Sequence, residues 1–252
     1  MKLNIVPART GTKWVKLGMQ TFARQPLALA GLFFLYMAAV IAVAQLPVIG
    51  LLIGGMLVPA ATLGLMAATA EATKGRFPMP TVLISAFRAG RQRVRAMLLL
   101  GLFYTVGSTL ATGIATLLAG PPAPATGEID GATLLALALH TPLFLMFWHA
   151  PALVHWHGVS PAKSVFFSMI ACLRNFGAFA IYGLTWLLVF LGVGTLFGLL
   201  GGILGGPEMA RAVMMPTALL MAAMFSSSMY FTFLDSFVAT PDEQQPTSVE
   251  PP

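Results

Sequence analysis

Long apolar runs, separated by short clusters of polar and basic residues, set the pattern of this chain from residue 27 onward. Six of them, Leu27–Leu46, Leu51–Ala70, Ala96–Ala119, Ala132–Val154, Ala178–Leu204 and Ala212–Leu234, contain no Asp, Glu, Lys or Arg. Each can cross a hydrocarbon layer of about 30 Å, which takes about 20 helical residues. The backbone must satisfy its own hydrogen bonds there, and runs of this length suit helices and exceed the roughly 9–11 residues of a barrel strand. The pattern predicts an all-α polytopic membrane protein with six transmembrane helices in one domain over residues 1–239. A tail at residues 240–252, rich in Pro, Gln and acids, is expected to be disordered and cytoplasmic.

The stretches before the odd-numbered spans carry a helical period of their own. In the second, Leu83, Phe87, Gly90 and Val94 share a stripe at 100° per residue, with Thr81, Ser85, Arg88, Gln92 and Arg95 opposite. In the first, Trp14, Val15, Gly18 and Phe22 oppose Lys13, Lys16, Gln20 and Arg24 before Pro26. Interfacial helices are therefore predicted near residues 12–25, 81–95 and 162–175, the third less cleanly divided. Aligning Thr12, Thr81 and Ala162 brings Arg24, Arg93 and Arg174 into register. Each of three units would then be a surface helix followed by a spanning hairpin, with Pro59, Pro142 and Pro151, or Pro216 in its second helix.

Charge supplies the orientation. Lys2, Arg9, Lys13, Lys16 and Arg24 precede the first span; Lys74, Arg76, Arg88, Arg91, Arg93 and Arg95 fill the second connection; Lys163 and Arg174 lie in the fourth. The alternate connections hold Arg211 and the acids Glu128, Asp130 and Glu208. Basic flanks stay cytoplasmic, so both ends are expected in the cytoplasm of a bacterial inner membrane. Charged residues make up 9% of the chain and apolar residues 58%, which excludes a water-soluble domain. The net charge of +6 points to anionic lipid rather than nucleic acid, because the cations border apolar spans. Ala42-Val43-Ala44 imitates a signal-cleavage site, but the long apolar stretch and five further spans favour an anchor.

Three segments carry a family resemblance: the Trp14, Gly18, Phe22, Pro26 series; Ala150-Pro151-Ala152-Leu153-Val154 followed by Trp156-His157-Gly158; and Phe167-Ser168 followed by Ala171-Cys172-Leu173-Arg174-Asn175. The chain resembles an uncharacterised family of bacterial six-span inner-membrane proteins. More distantly, it is similar to the membrane domain joined to some glycerophosphodiester phosphodiesterases. The resemblance implies a fold and a location and brings no catalytic residues; where this chain has His149, the family usually has an apolar residue.

Candidate chemistry is sparse. His140 lies near the middle of the fourth span, where an ionisable group is a functional candidate by default, the alternative being a histidine bonded to a helix carbonyl. His149, also in that span, joins His155 and His157 beside Trp148 and Trp156, which suggests either a metal site or an interfacial belt. His149 and His155 fall about 240° apart on a straight helix, and no carboxylate is near in sequence, so the belt is favoured. Met146 with His149 and Met221 with Met224 suit copper(I) or plain apolar filling. Gly194, Gly198, Gly202 and Gly206 form a four-residue repeat that lets another backbone approach, within the fold or from a homo-oligomer or other membrane partner. Arg24, Arg88, Arg91, Arg93, Arg95 and Arg174 are candidate lipid-headgroup contacts. No catalytic residues, cofactor or metal are expected. The expected role is non-enzymatic: structural or interactive, in envelope organisation or lipid binding. The alternative is a transporter of a lipid or weakly polar solute through a cavity near His140.

Overall fold

The computed structural model describes residues 1–47, 49–120 and 130–238, so the expected tail and Glu128 lie outside the described residues. The elements are β1 (Lys2–Leu3), α1 (Thr10–Arg24), α2 (Pro26–Ala44), α3 (Ile49–Thr73), a 3-10 helix (Pro80–Phe87), α4 (Arg91–Ala119), α5 (Gly131–Phe147), α6 (Ala150–His157), α7 (Pro161–Arg174), α8 (Phe176–Ser236) and β2 (Phe237–Val238). Five stretches are long and apolar enough to cross a membrane: Pro26–Val43, Leu52–Thr73, Arg91–Ala119, Gly131–His157 and Phe176–Ser236. Leu117, Leu187, Leu191 and Ile203 stand exposed along them, a surface that lipid tails solvate and water does not. The chain is an all-α polytopic membrane protein.

Two compact units divide the chain. The first comprises Met1–Gly31, Thr69–Pro78 and the described part of Leu173–Pro252. Its main element, α8, has 61 residues and would extend about 90 Å if straight. It is not straight. Gly205 and Gly206 are non-helical, Gly206 with φ +71°, and Pro207 restarts the helix where its missing N–H costs nothing. The two legs run back along each other: Tyr182 Oη and Ser228 Oγ are 2.6 Å apart, and Trp186 Nε1 donates to the same Ser228 oxygen at 3.2 Å.

Both ends of α8 also hold the first residues of the chain. Asn175, its N-cap, accepts from Val6 N at 2.9 Å and donates to Asn4 O at 3.0 Å. At the far end β1 and β2 pair antiparallel, Lys2 with Val238 and Leu3 with Phe237. Between these clamps α1 lays Gly11, Trp14, Val15, Gly18 and Thr21 against α8. A Cβ at Gly11 would run into Ala178 O, and one at Gly18 into Ser228, so glycine sets the closeness of this contact. Trp14 is fully buried against Phe179 and Tyr182, at ring distances of 5.3 and 6.0 Å, and its Nε1 donates to Asp235 Oδ2 at 2.9 Å. Such ring pairs contribute about 0.5–1.5 kcal/mol each beyond the area they bury.

The second unit, Leu32–Ala68 and Met79–Cys172, packs around Ala60, Leu63, Met97, Leu100, Phe147 and Val154. Backbones approach closely where side chains are small. A Cβ on Gly101 would clash with Met56 O, and one on Gly64 would lie 2.8 Å from Leu83 Cα. Asp130 caps α5 by accepting from Thr133 N at 2.8 Å.

The structure corrects three expectations. The predicted helix near residues 81–95 is two elements: a 3-10 turn following Pro78 and Pro80, then a break at Gly90 (φ +91°), after which Arg91, Arg93 and Arg95 begin α4. Arg24 and Arg174 are the last residues of their helices, whereas Arg93 is the third residue of α4, so the proposed register of the three arginines does not correspond to equivalent positions. Second, the apolar stripe of α1 faces α8 rather than a lipid surface, because Gly11 and Gly18 admit another helix there. Third, the fourth span is not one helix: α5 ends at Phe147 and α6 begins at Ala150.

Candidate functional site

The break between α5 and α6 brings together His149 and Ser168, two buried polar side chains of the second unit. Pro151 has no N–H to offer Phe147 O, and its ring crowds that carbonyl, which opens the helix just upstream. In an unbroken helix His149 N would donate to Leu145 O. Here the Ser168 hydroxyl stands between them, accepting from His149 N at 2.9 Å and donating to Leu145 O at 2.8 Å. A side chain from α7 thus replaces one rung of the ladder, as a kink inside lipid requires. Ser164, Ser168 and Cys172, four residues apart on α7, are all buried. Cys172 Sγ lies 3.7 Å from Leu145 O and 4.0 Å from His149 Nδ1, and burial pushes its thiol pKa up to about 12. The arrangement secures a helix break; the protonated thiol is a poor nucleophile.

His140 sits one helical segment away in the same unit. Its Nδ1 donates to Ala136 O at 2.8 Å, so Nε2 is the acceptor that faces Ser108 Oγ at 3.4 Å. It lines a pocket of about 270 Å³ with Tyr104, Leu137, Thr141, Leu143 and Phe144, all on α4 and α5. His149 is fully buried against α7, while His155 is half-buried on α6, and no group of three or more His, Cys, Asp or Glu able to hold a metal exists among the described residues.

The arginines lie outward. Arg24, Arg88, Arg91, Arg93, Arg95 and Arg174 are all exposed. Arg88, Arg91 and Arg95 border one shallow depression of about 480 Å³ with Phe87, Gly90 and Val94. The glycine repeat divides by role. Gly194 and Gly198 face Met214 of the returning leg, a Cβ at Gly202 would meet nothing, and Gly206 forms the turn. The tight contact belongs to the neighbouring Gly201, where a Cβ would fall 2.7 Å from Ala210 Cα.

Sequence reasoning passed over Ser168, Tyr182 and Ser228. The α7 spacing of Ser164, Ser168 and Cys172 on one face was the available signal. The Tyr182–Ser228 contact, 46 residues apart, had none.

The chain is 38% identical over 254 residues to a protein of Burkholderia thailandensis named a probable inner membrane protein, an alignment covering 94% of each. The chain belongs to that protein's family. No protein-family model matches the chain, and no solved structure matches it. Because the match runs almost end to end, the family likeness takes in both compact units.

Proposed function

We propose that this member of the family is a non-enzymatic protein of the bacterial inner membrane that holds anionic lipid and serves envelope organisation. The observation that carries the reading is the division of its polar groups. Inside the apolar body Ser168 bridges a broken helix and His140 bonds its own helix, while the arginines stand exposed. The likeness to the membrane domain joined to some glycerophosphodiester phosphodiesterases rests on the sequence motifs alone.

The topology that goes with this role has six crossings and both ends in the cytoplasm. Pairing of β1 with β2 supports an even number, since residues 2–3 and 237–238 must lie on one side. With five candidate stretches, one must cross twice, and the doubled-back α8 meets that need. The basic connections then fall on the cytoplasmic side.

The competing reading is a transporter using the pocket at His140, supported by a mid-span histidine beside an open cavity. Purification in mild detergent followed by native mass spectrometry and flux assays in vesicles separates the two. Retained anionic lipid, with solute flux unchanged by His140→Ala, is the expected result. Flux that disappears in His140→Ala, with lipid lost on purification, would transfer the assignment to transport.

A further inference from the structure

The 3-10 helix Pro80–Phe87 separates an apolar pocket from a more polar one within the second unit. On one side Pro80, Leu83, Ile84 and Phe87 line an apolar groove of about 280 Å³ closed by α2 and α3. On the other, Thr81, Ser85 and Arg88 join His155 of α6 around an open pocket of about 350 Å³. With three residues per turn, Pro80 and Leu83 stack on one edge, Val82 and Ser85 on a second, with Arg88 following, and Thr81 shares the third with Ile84 and Phe87. Each of the two pockets shares a lining residue with the arginine depression at the end of the helix. Phe87 lines both the groove and the arginine depression, and Arg88 lines both that depression and the polar pocket.

Ser85 Oγ and His155 Nδ1 are both screened from solvent and have no hydrogen-bond partner among the described residues. Buried polar atoms are bonded in the great majority of cases, and a turn of the Ser85 hydroxyl or the His155 ring toward the pocket both residues line would let a bound acceptor satisfy them. The surrounding charge is of one sign. Arg88 is at the pocket, the Arg93 charge acts on the His155 ring, Arg91 and Arg95 line the adjoining depression, and among the described residues no Asp or Glu lines any of the three cavities.

We propose that Thr81, Ser85, Arg88 and His155 bind the ionised phosphate of an anionic phospholipid whose acyl chain occupies the groove on the far side of the 3-10 helix. Phosphate oxygens accept from hydroxyl, imidazole N–H and guanidinium together, and the guanidinium bonds are charge-assisted. This rests on the lipid-holding reading above and gives it a headgroup and an address.

The test is native mass spectrometry of the full-length protein in mild detergent, titrated with phosphatidylglycerol or phosphatidylcholine, with inorganic phosphate in a parallel thermal-unfolding assay. The variants are Ser85→Ala with Arg88→Gln, and Arg95→Gln, which removes the same charge outside the polar pocket. Arg88 and Arg95 are exposed and Ser85→Ala removes a single oxygen that bonds no described residue, so these exchanges leave the packing intact. Phosphatidylglycerol should bind better than phosphatidylcholine, with the double variant weakening it about tenfold or more and Arg95→Gln less than about threefold. Equal losses in the two variants would overturn the pocket while leaving general lipid binding standing. A wild-type protein that retains no anionic lipid would overturn both the pocket and the reading it rests on. Protection by inorganic phosphate without preference between the lipids would overturn the lipid as its source.

Discussion

Cys172 shows how burial determines what a side chain can do. It is the chain's single cysteine, and its position on α7 facing Leu145 O and His149 leaves no water to solvate a thiolate. With the pKa raised by burial to about 12, roughly one thiol in ten thousand is ionised at pH 8. Maleimide should therefore label Cys172 far more slowly than a cysteine at exposed Ala23, introduced as Ala23→Cys in a Cys172→Ser background. The rate for Ala23→Cys should level off above about pH 9, while that for Cys172 keeps rising toward 12. The linkage has the same sign: unfolding releases the thiol proton, so stability declines as pH climbs from the ordinary thiol value to the raised one. Equal labelling of the two cysteines at pH 7.5 would contradict the buried position. Cysteine content was plain from the sequence. Its inertness was not, because the groups that enclose it lie more than twenty residues away.

Glycine illustrates a different limit in the helices. Counting every fourth residue singled out Gly194, Gly198, Gly202 and Gly206, but the turn at Gly205–Gly206 decides which face meets the returning leg. Gly201→Val should lower thermal stability in detergent, since even its Cβ would fall 2.7 Å from Ala210 Cα. Gly206→Ala should cost about 1–3 kcal/mol because its backbone occupies a region that suits glycine alone. Gly202→Leu should be tolerated, with no atom of the described residues within 4 Å of the added Cβ. If Gly202→Leu instead dissociates an oligomer, that face joins two copies. The α5–α6 break has the same lesson. Pro151 was visible, but in the sequence it was only one more spanning-helix proline; Ser168, which fills the gap, came from another helix.

The clamp of β1 on β2 constrains the whole chain, since it puts residues 2–3 beside residues 237–238. Reporter fusions after residue 238 and within the Arg88–Arg95 connection should both read cytoplasmic, and one within residues 206–211 should read periplasmic. A cytoplasmic reporter at that last site would mean α8 does not cross twice. Within the first unit the same clamp makes α1 part of the fold. Deleting residues 1–6 should loosen α1 and lower the melting temperature, because Asn4 and Val6 lose their bonds to Asn175, Asp235 and Ser236.

The amino-acid order was enough to establish the membrane class and the apolar helices, because solvation of an apolar or charged residue depends on that residue and its near neighbours. It also left a gap between its last two apolar runs, where Gly205, Gly206 and Pro207 follow one another. Which face of α1 is covered, how Ser168 completes a broken helix, and how Ser85, Arg88 and His155 come to line one pocket depended on contacts between segments far apart in the chain. Those contacts are set by side-chain shape across helix faces, and a hydropathy pattern carries no record of which faces meet.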